Sequence, residues 1–134
     1  MRFARWVFLI SGIYGLLVLV PFYFLEQKIN TDAPPAITHP EYYYGFVGVG
    51  VAWQVAFLII GFAPLRHRPL MIPAILEKVT FGFAAIVLFL NDRIPLAVFV
   101  SGCSDLVWAV LFAVAFFVTR PNSGSSSDRQ IAES

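Results

Sequence analysis

Four polar side chains interrupt long apolar stretches of this sequence. Glu77 and Lys78 lie together in one stretch, while Gln54 and Asp105 lie in two others. A carboxyl group held away from water can exchange a proton or bind a cation, and an ammonium group beside it can form an ion pair. These residue types therefore predict either a site coupled to a proton or ligand, or an ion pair that fixes helix contacts.

The surrounding composition indicates that lipid is the solvent for most of the chain. Of 134 residues, 59% are hydrophobic and only 13% are charged, which is far more apolar than the average soluble domain. A soluble domain of this length could not bury so much apolar surface. We predict an all-α integral membrane protein of a single domain.

Four stretches are long enough to cross a hydrocarbon core about 30 Å thick, which requires roughly 20 helical residues. The third stretch must include Glu77 and Lys78, because the charge-free residues 79–91 are too few to span. We predict an antiparallel four-helix bundle over residues 1–119. Its helices cover residues 6–25, 42–65, 69–90 and 94–119.

Little of the chain is left outside the predicted membrane. The polar residues 120–134 lack aromatic side chains, and we expect them to form a disordered tail. Residues 26–41 contain Pro34, Pro35 and Pro40, which favour an extended connection between the first two spans.

The basic residues of the short connections predict the orientation. Cytoplasmic loops carry an excess of Lys and Arg. Lys28 and Arg93 lie on one side, whereas six arginines lie on the side of the two termini, which we therefore place in the cytoplasm. These six are Arg2, Arg5, Arg66, Arg68, Arg120 and Arg129.

The predicted hairpins bring the polar groups to one depth. The short turn at Asp92 makes the third and fourth spans antiparallel neighbours. Lys78 precedes Asp92 by 14 residues and Asp105 follows it by 13, so we predict an ion pair between Lys78 and Asp105. The turn around His67 brings Gln54 to the same layer.

One lysine serves two carboxyl groups in this layer, so Glu77 is left without a second cation. We expect Glu77 to hydrogen-bond to Gln54 or to Tyr14, which lies about 12 Å into the first span. Small residues on the same faces mark helix contacts. We predict a mid-membrane cavity with walls from Phe57 and Phe81. Its candidate polar-layer residues are Tyr14, Trp53, Gln54, Glu77, Lys78, Asp105 and Trp108.

The other chemistry-bearing residues do not point to a cofactor. His39 and His67 lie on opposite sides of the predicted membrane, so they cannot share a metal ion or a haem. Cys103 is the single cysteine, which excludes an internal disulfide. We predict no cofactor, no metal site and no nucleic-acid partner. We expect membrane lipid as a partner, with anionic headgroups at the basic turn of residues 66–68.

Several short motifs resemble those of small four-helix inner-membrane proteins of bacteria, loosely of the DoxX type. They are Tyr43-Tyr44-Gly45-Phe46, Ala52-Trp53-Gln54, Arg68-Pro69, Glu77-Lys78 and Asp105. The resemblance covers residues 41–118 and implies four helices in a bacterial inner membrane. DoxX-like proteins are associated with membrane oxidoreductase systems as accessory subunits, so the resemblance implies such a role here.

Three classes of function remain open. The chain is either a binding or transport protein for a small lipophilic ligand, or an accessory subunit of a larger membrane complex, or a membrane enzyme of the isomerase type. The enzyme would use Glu77 and Asp105 as acid and base. We favour a non-enzymatic role, with a membrane protein partner or a homo-oligomer as further options.

The four-span topology is tested by thiol labelling. In a background with Cys103→Ala, cysteines introduced at Ser125 and at Thr31 should react with a membrane-impermeant reagent from opposite sides. The reason is that three predicted spans separate the two positions. Labelling of both positions from the same side would contradict the topology.

Overall fold

The structure, a computed structural model, describes residues 1–120. No strand occurs within this range. The predicted tail lies outside the described residues from position 121 onward. The regular elements are α1 (Arg2–Leu19), a 3-10 turn (Val20–Phe24), α2 (Glu26–Asp32), α3 (Pro40–Phe62), a second 3-10 turn (Arg68–Leu70), α4 (Met71–Leu90) and α5 (Leu96–Val118).

Within residues 1–120, four helices are long and apolar enough to cross a membrane. Together with the adjoining 3-10 turns, the spans are Arg2–Phe24, Pro40–Phe62, Arg68–Leu90 and Leu96–Val118, each of 23 residues. At about 1.5 Å per residue such a helix is roughly 35 Å long, which exceeds a hydrocarbon core of about 30 Å. The prediction of an all-α fold with four membrane-length helices is confirmed.

The four long helices form two tightly packed pairs. Helix α1 packs along α3, and α4 packs along α5, while α1 and α5 join the pairs and α3 and α4 touch only lightly. Both chain ends of the described range and residues 63–70 lie at one end of the bundle, which we call the terminal end. Residues 20–39 and 91–95 lie at the opposite end, the loop end.

Glycines allow the close approach within each pair. A side chain at Gly102 of α5 would overlap the Cβ atom of Ala85 in α4, and one at Gly82 would lie 2.5 Å from Leu106. In the other pair, a side chain at Gly61 would lie 2.7 Å from Leu9. Small residues let helix backbones approach closely in membranes, where dispersion contacts replace the hydrophobic effect as the main attraction between helices.

The turn between α4 and α5 ends α4 with two backbone hydrogen bonds. The backbone amide of Asp92 donates to the carbonyl of Phe89 at 3.0 Å, and that of Arg93 donates to the carbonyl of Leu88 at 2.9 Å. This is a Schellman motif, whose central residue adopts the left-handed conformation. Asp92 has φ 54°, a conformation that Asp tolerates better than most residues. The motif reverses the chain within a few residues and thus sets α5 beside α4.

The connection at the loop end differs from the sequence prediction. Residues 26–32 form the helix α2, so the expectation of an extended path is wrong for this part. The prolines do not prevent the helix because Pro34 and Pro35 lie beyond its last turn. Its side chains also support it, since Lys28 donates a hydrogen bond of 2.6 Å to Asp32. That hydrogen bond raises the pKa of Lys28 above its ordinary value.

The terminal half of the bundle is densely packed. Its core is an apolar cluster of buried side chains from all four long helices. Arg68 ties the start of α4 to α5, because its Nε donates to the carbonyl of Phe116 at 3.3 Å and its guanidinium lies 3.8 Å from the Phe116 ring. The cluster comprises Ala4, Val7, Phe8, Phe57, Ile60, Met71, Ala74, Phe112 and Ala115.

Two glycine substitutions test this packing. Gly102→Ala should lower the free energy of unfolding by about 1 to 3 kcal/mol, because its Cβ would force α4 and α5 apart. Gly45→Ala is the matched control, since a Cβ there meets nothing within 4 Å and alanine favours the helix. Thermal unfolding in detergent measures both variants. Equal stability of the two variants would contradict the close α4–α5 contact.

Candidate functional site

A cavity of about 440 Å³ lies between the two helix pairs. All four long helices line it. Helices α1, α3 and α5 do so from their middle toward the loop end, and α4 does so near its middle. It exists because the pairs meet closely in the terminal half and leave space between them in the loop half. Its volume falls within the range of 300 to 1,000 Å³ that is typical of ligand pockets.

The floor of the cavity is an ion-pair triad of Glu77, Lys78 and Asp105. Lys78 Nζ lies 3.2 Å from Asp105 Oδ1 and 3.3 Å from Glu77 Oε2. The predicted ion pair between Lys78 and Asp105 is confirmed, and Lys78 also pairs with its sequence neighbour. Glu77 therefore shares this cation instead of lying outside the ion pair as expected, while no second cation pairs with it within residues 1–120. The lysine side chain is long enough for its ammonium to lie between both carboxyl groups.

The three triad side chains differ in exposure. The side chain of Lys78 is 8% exposed, whereas those of Glu77 and Asp105 are 22% and 18% exposed. All three side chains line the cavity, and those of the two acids keep more exposed surface than that of the lysine. An unpaired charge near the bilayer centre costs about 2.5 to 3.5 kcal/mol on insertion scales. The ammonium between two carboxyl groups offsets part of this cost.

Glu77 nevertheless has unused hydrogen-bonding capacity. Its Oε2 atom is buried and accepts no hydrogen bond, because Lys78 Nζ lies within ion-pair distance but outside hydrogen-bond geometry. The expected hydrogen bond to Gln54 or Tyr14 is not formed. Most buried polar atoms have a hydrogen-bond partner, so this oxygen keeps an unused capacity to accept one.

Gln54 adds a second such oxygen. The residue is 2% exposed, and its Nε2 donates to the carbonyl of Gly50 at 3.3 Å, while Oε1 has no partner. This bond fixes which way the amide points, since the reverse orientation would set two oxygens against each other. The amide rests on Gly15 of α1, where any side chain would overlap it. A side chain at position 15 would therefore force the Gln54 amide to move.

The walls of the cavity are largely apolar. Phe22 and Phe46 line it near the loop end, and Phe81 lies 6.2 Å from Phe46 between ring centroids. Tyr14 and Trp108 lie on another side, with their ring centroids 6.3 Å apart. Apolar walls above a polar floor are suited to an amphipathic molecule rather than to a fully polar one.

Three aromatic rings pack tightly on the terminal side of the floor. The ring centroids of Phe8 and Phe112 are 4.2 Å apart, and those of Phe57 and Phe112 are 5.0 Å apart. All three side chains are fully buried. This aromatic cluster separates the cavity from the terminal end, so the cavity extends from the floor toward the loop end only.

The structure brings together six of the seven predicted polar-layer residues. Trp53 is the exception, because it does not line the cavity and instead packs against the core with its ring centroid 6.1 Å from that of Phe57. Phe57 also lies beneath the floor, so the prediction that it forms a wall is wrong. The six cavity residues are Tyr14, Gln54, Glu77, Lys78, Asp105 and Trp108.

Sequence reasoning missed Ser104 and the aromatic residues near the loop end. Ser104 lines the cavity beside Asp105, and its hydroxyl donates to the carbonyl of Ser101 at 2.7 Å. Its position three residues after Ser101 was a usable signal, since both residues then share one helix face. Phe22 carried no such signal, because it lies in a 3-10 turn whose direction depends on the fold.

Comparison with protein-family models, with curated proteins and with solved structures finds no match for this chain. The resemblance to DoxX-like proteins stays a prediction.

Neutralising the triad tests its role in stability. Lys78→Met keeps the aliphatic length but leaves two buried carboxyl groups unpaired, so it should lower the free energy of unfolding by about 3 kcal/mol. Adding Asp105→Asn and Glu77→Gln should recover most of the lost free energy of unfolding, because no unpaired charge remains. Thermal unfolding in detergent gives the comparison. Additive losses in the combined variant would show that the three groups do not interact.

Proposed function

We propose that this multi-pass membrane protein binds a small amphipathic molecule in the cavity, with the polar head at the triad and the apolar body along the aromatic walls. The observation that carries the proposal is a 440 Å³ cavity whose floor holds two carboxyl groups for a single ammonium. A floor built for helix contact alone would not need accessible carboxyl groups beside an open volume.

The charges at the cavity floor determine which polar head group the site would bind. Glu77 and Asp105 share one lysine, and two acceptor oxygens, Glu77 Oε2 and Gln54 Oε1, lack donors. A head that donates hydrogen bonds and carries positive charge complements this arrangement. We therefore propose a lipophilic amine as the ligand class. A carboxylate head would meet two carboxyl groups and is disfavoured.

The route to the site follows from where the packing is loose. The cavity reaches the loop end, and α3 and α4 touch only lightly. We propose that the ligand enters from the loop end or between α3 and α4 from the lipid. Passage to the terminal end would require the rings of Phe8, Phe57 and Phe112 to separate, so binding is the proposed function and transport is not.

The location of the protein is part of the proposal. The charge asymmetry supports cytoplasmic termini, which would open the cavity toward the outer face of the membrane. The bacterial inner membrane follows only from the DoxX-like resemblance. An accessory role within a larger complex is compatible with ligand binding and needs no change to the site.

Binding is tested with dodecylamine as the probe and with dodecanoic acid as a ligand of equal chain length and opposite charge. In detergent, dodecylamine should raise the melting temperature of the wild-type protein, while dodecanoic acid should not. At a free amine concentration about 100 times Kd, the expected stabilisation is about 2.7 kcal/mol. Equal effects of both compounds would contradict a carboxyl-lined head site.

Glu77→Gln tests the role of the floor in the same assay. The amide keeps the size and hydrogen-bonding capacity of the side chain but removes its charge, so the fold should persist and the shift by dodecylamine should disappear. Asp92→Asn is the matched control, because it makes the same chemical change in the turn outside the cavity, where Asn tolerates φ 54°. A retained shift in Glu77→Gln, or loss of its fold, would contradict the proposed role of Glu77.

A further inference from the structure

We infer that the terminal end carries a second binding site, for the phosphate group of an anionic lipid, formed by Arg2, Arg5 and Arg66. These three arginines line one cavity of about 350 Å³ between the start of α1 and the turn after α3. This site is separate from the amine site and does not depend on it.

The three arginines converge from distant parts of the sequence. Arg2 and Arg5 lie on the first turns of α1, and Arg66 lies in the turn that follows α3. None of the three takes part in an ion pair or a side-chain hydrogen bond within residues 1–120. Like charges repel, so their convergence on one cavity favours an anion between them.

No carboxylate lies near enough to serve as that anion among the described residues. The acidic side chains of residues 1–120 all lie at the loop end or in the triad. They are Glu26, Asp32, Glu41, Glu77, Asp92 and Asp105. The guanidinium group matches phosphate with two parallel hydrogen bonds, which makes a phosphate the best complement to this cluster.

The arginines at the terminal end fall into two groups. Arg68 is engaged with α5 through the Phe116 carbonyl and ring, and Arg120 lies 5.0 Å from the ring of Phe117. Arg66, in contrast, lines the cavity with Arg2 and Arg5. The structure therefore distinguishes the arginines that pack on aromatic rings from those that face the cavity.

The depth and the remaining lining favour a lipid as the source of the phosphate. Phe62 and Leu65 line the cavity, so apolar surface lies beside the arginines. Trp6 is 60% exposed at this end, and exposed tryptophans are typical of the headgroup level. Basic pockets between membrane helices bind anionic headgroups in this way.

The experiment uses the full chain in detergent micelles that contain phosphatidylglycerol, with native mass spectrometry to count retained lipid molecules. Arg5→Gln with Arg66→Gln should reduce retention of phosphatidylglycerol at least about tenfold, since two charge-assisted contacts to the phosphate are lost. Lys28→Gln with Arg93→Gln is the matched control. It removes two positive charges at the loop end and should leave retention unchanged.

Three results would overturn the inference. Equal loss in both double variants would show general charge attraction, and unchanged retention in Arg5→Gln with Arg66→Gln would show that these residues do not bind lipid. Displacement of the lipid by excess inorganic phosphate would assign the site to free phosphate.

All four substituted residues are solvent-accessible side chains or lie in turns, and an unchanged melting temperature checks that each variant folds. Single Arg66→Gln serves as the second variant, with a smaller loss expected.

Discussion

The ammonium of Lys78 between the carboxyl groups of Glu77 and Asp105 is the interaction on which this bundle depends. Each of these charges would be costly alone at the middle of a membrane, and the cost falls because each carboxyl group lies within 3.3 Å of the ammonium. The triad requires α4 and α5 to keep one register, since Lys78 and Asp105 come from opposite arms of the hairpin. Gly82 and Gly102 permit the short distance between these helices that the ion pair needs.

The same constraint explains why the cavity lies where it does. Tight packing within each helix pair is set by glycines, while contact between the pairs is concentrated at the rings of Phe8, Phe57 and Phe112. Large rings fill the terminal half, whereas the loop half has smaller inward side chains such as Gly15, Gly50 and Ser101, which leave a volume above the triad. A polar floor closed on one side and open on the other results from this unequal distribution of side-chain size.

The two proposed sites carry net charges of opposite sign. The triad supplies more carboxyl groups than ammonium groups at the base of an apolar cavity, which suits a cationic amphiphile. Among residues 1–120, the terminal end supplies arginines without carboxylates, which suits a phosphate. About half the thickness of the bundle separates the two sites, and the packed aromatic rings between them allow each to be altered without the other. Lipid bound at the arginines would hold the start of α1 beside the turn after α3.

The sequence by itself determined the four membrane-length helices, because the length and apolarity of each stretch depend only on residues close in the chain. It also placed Lys78 opposite Asp105, since a short turn fixes the register of neighbouring antiparallel helices. Tertiary structure alone decided that Lys78 also reaches Glu77 and that Trp53 packs into the core rather than the cavity. These outcomes depend on helix rotation and on the distance between pairs, which are set by side-chain packing among residues far apart in sequence. The convergence of Arg66 with Arg2 and Arg5 has the same origin, because the approach of α1 to α3 brings their ends together.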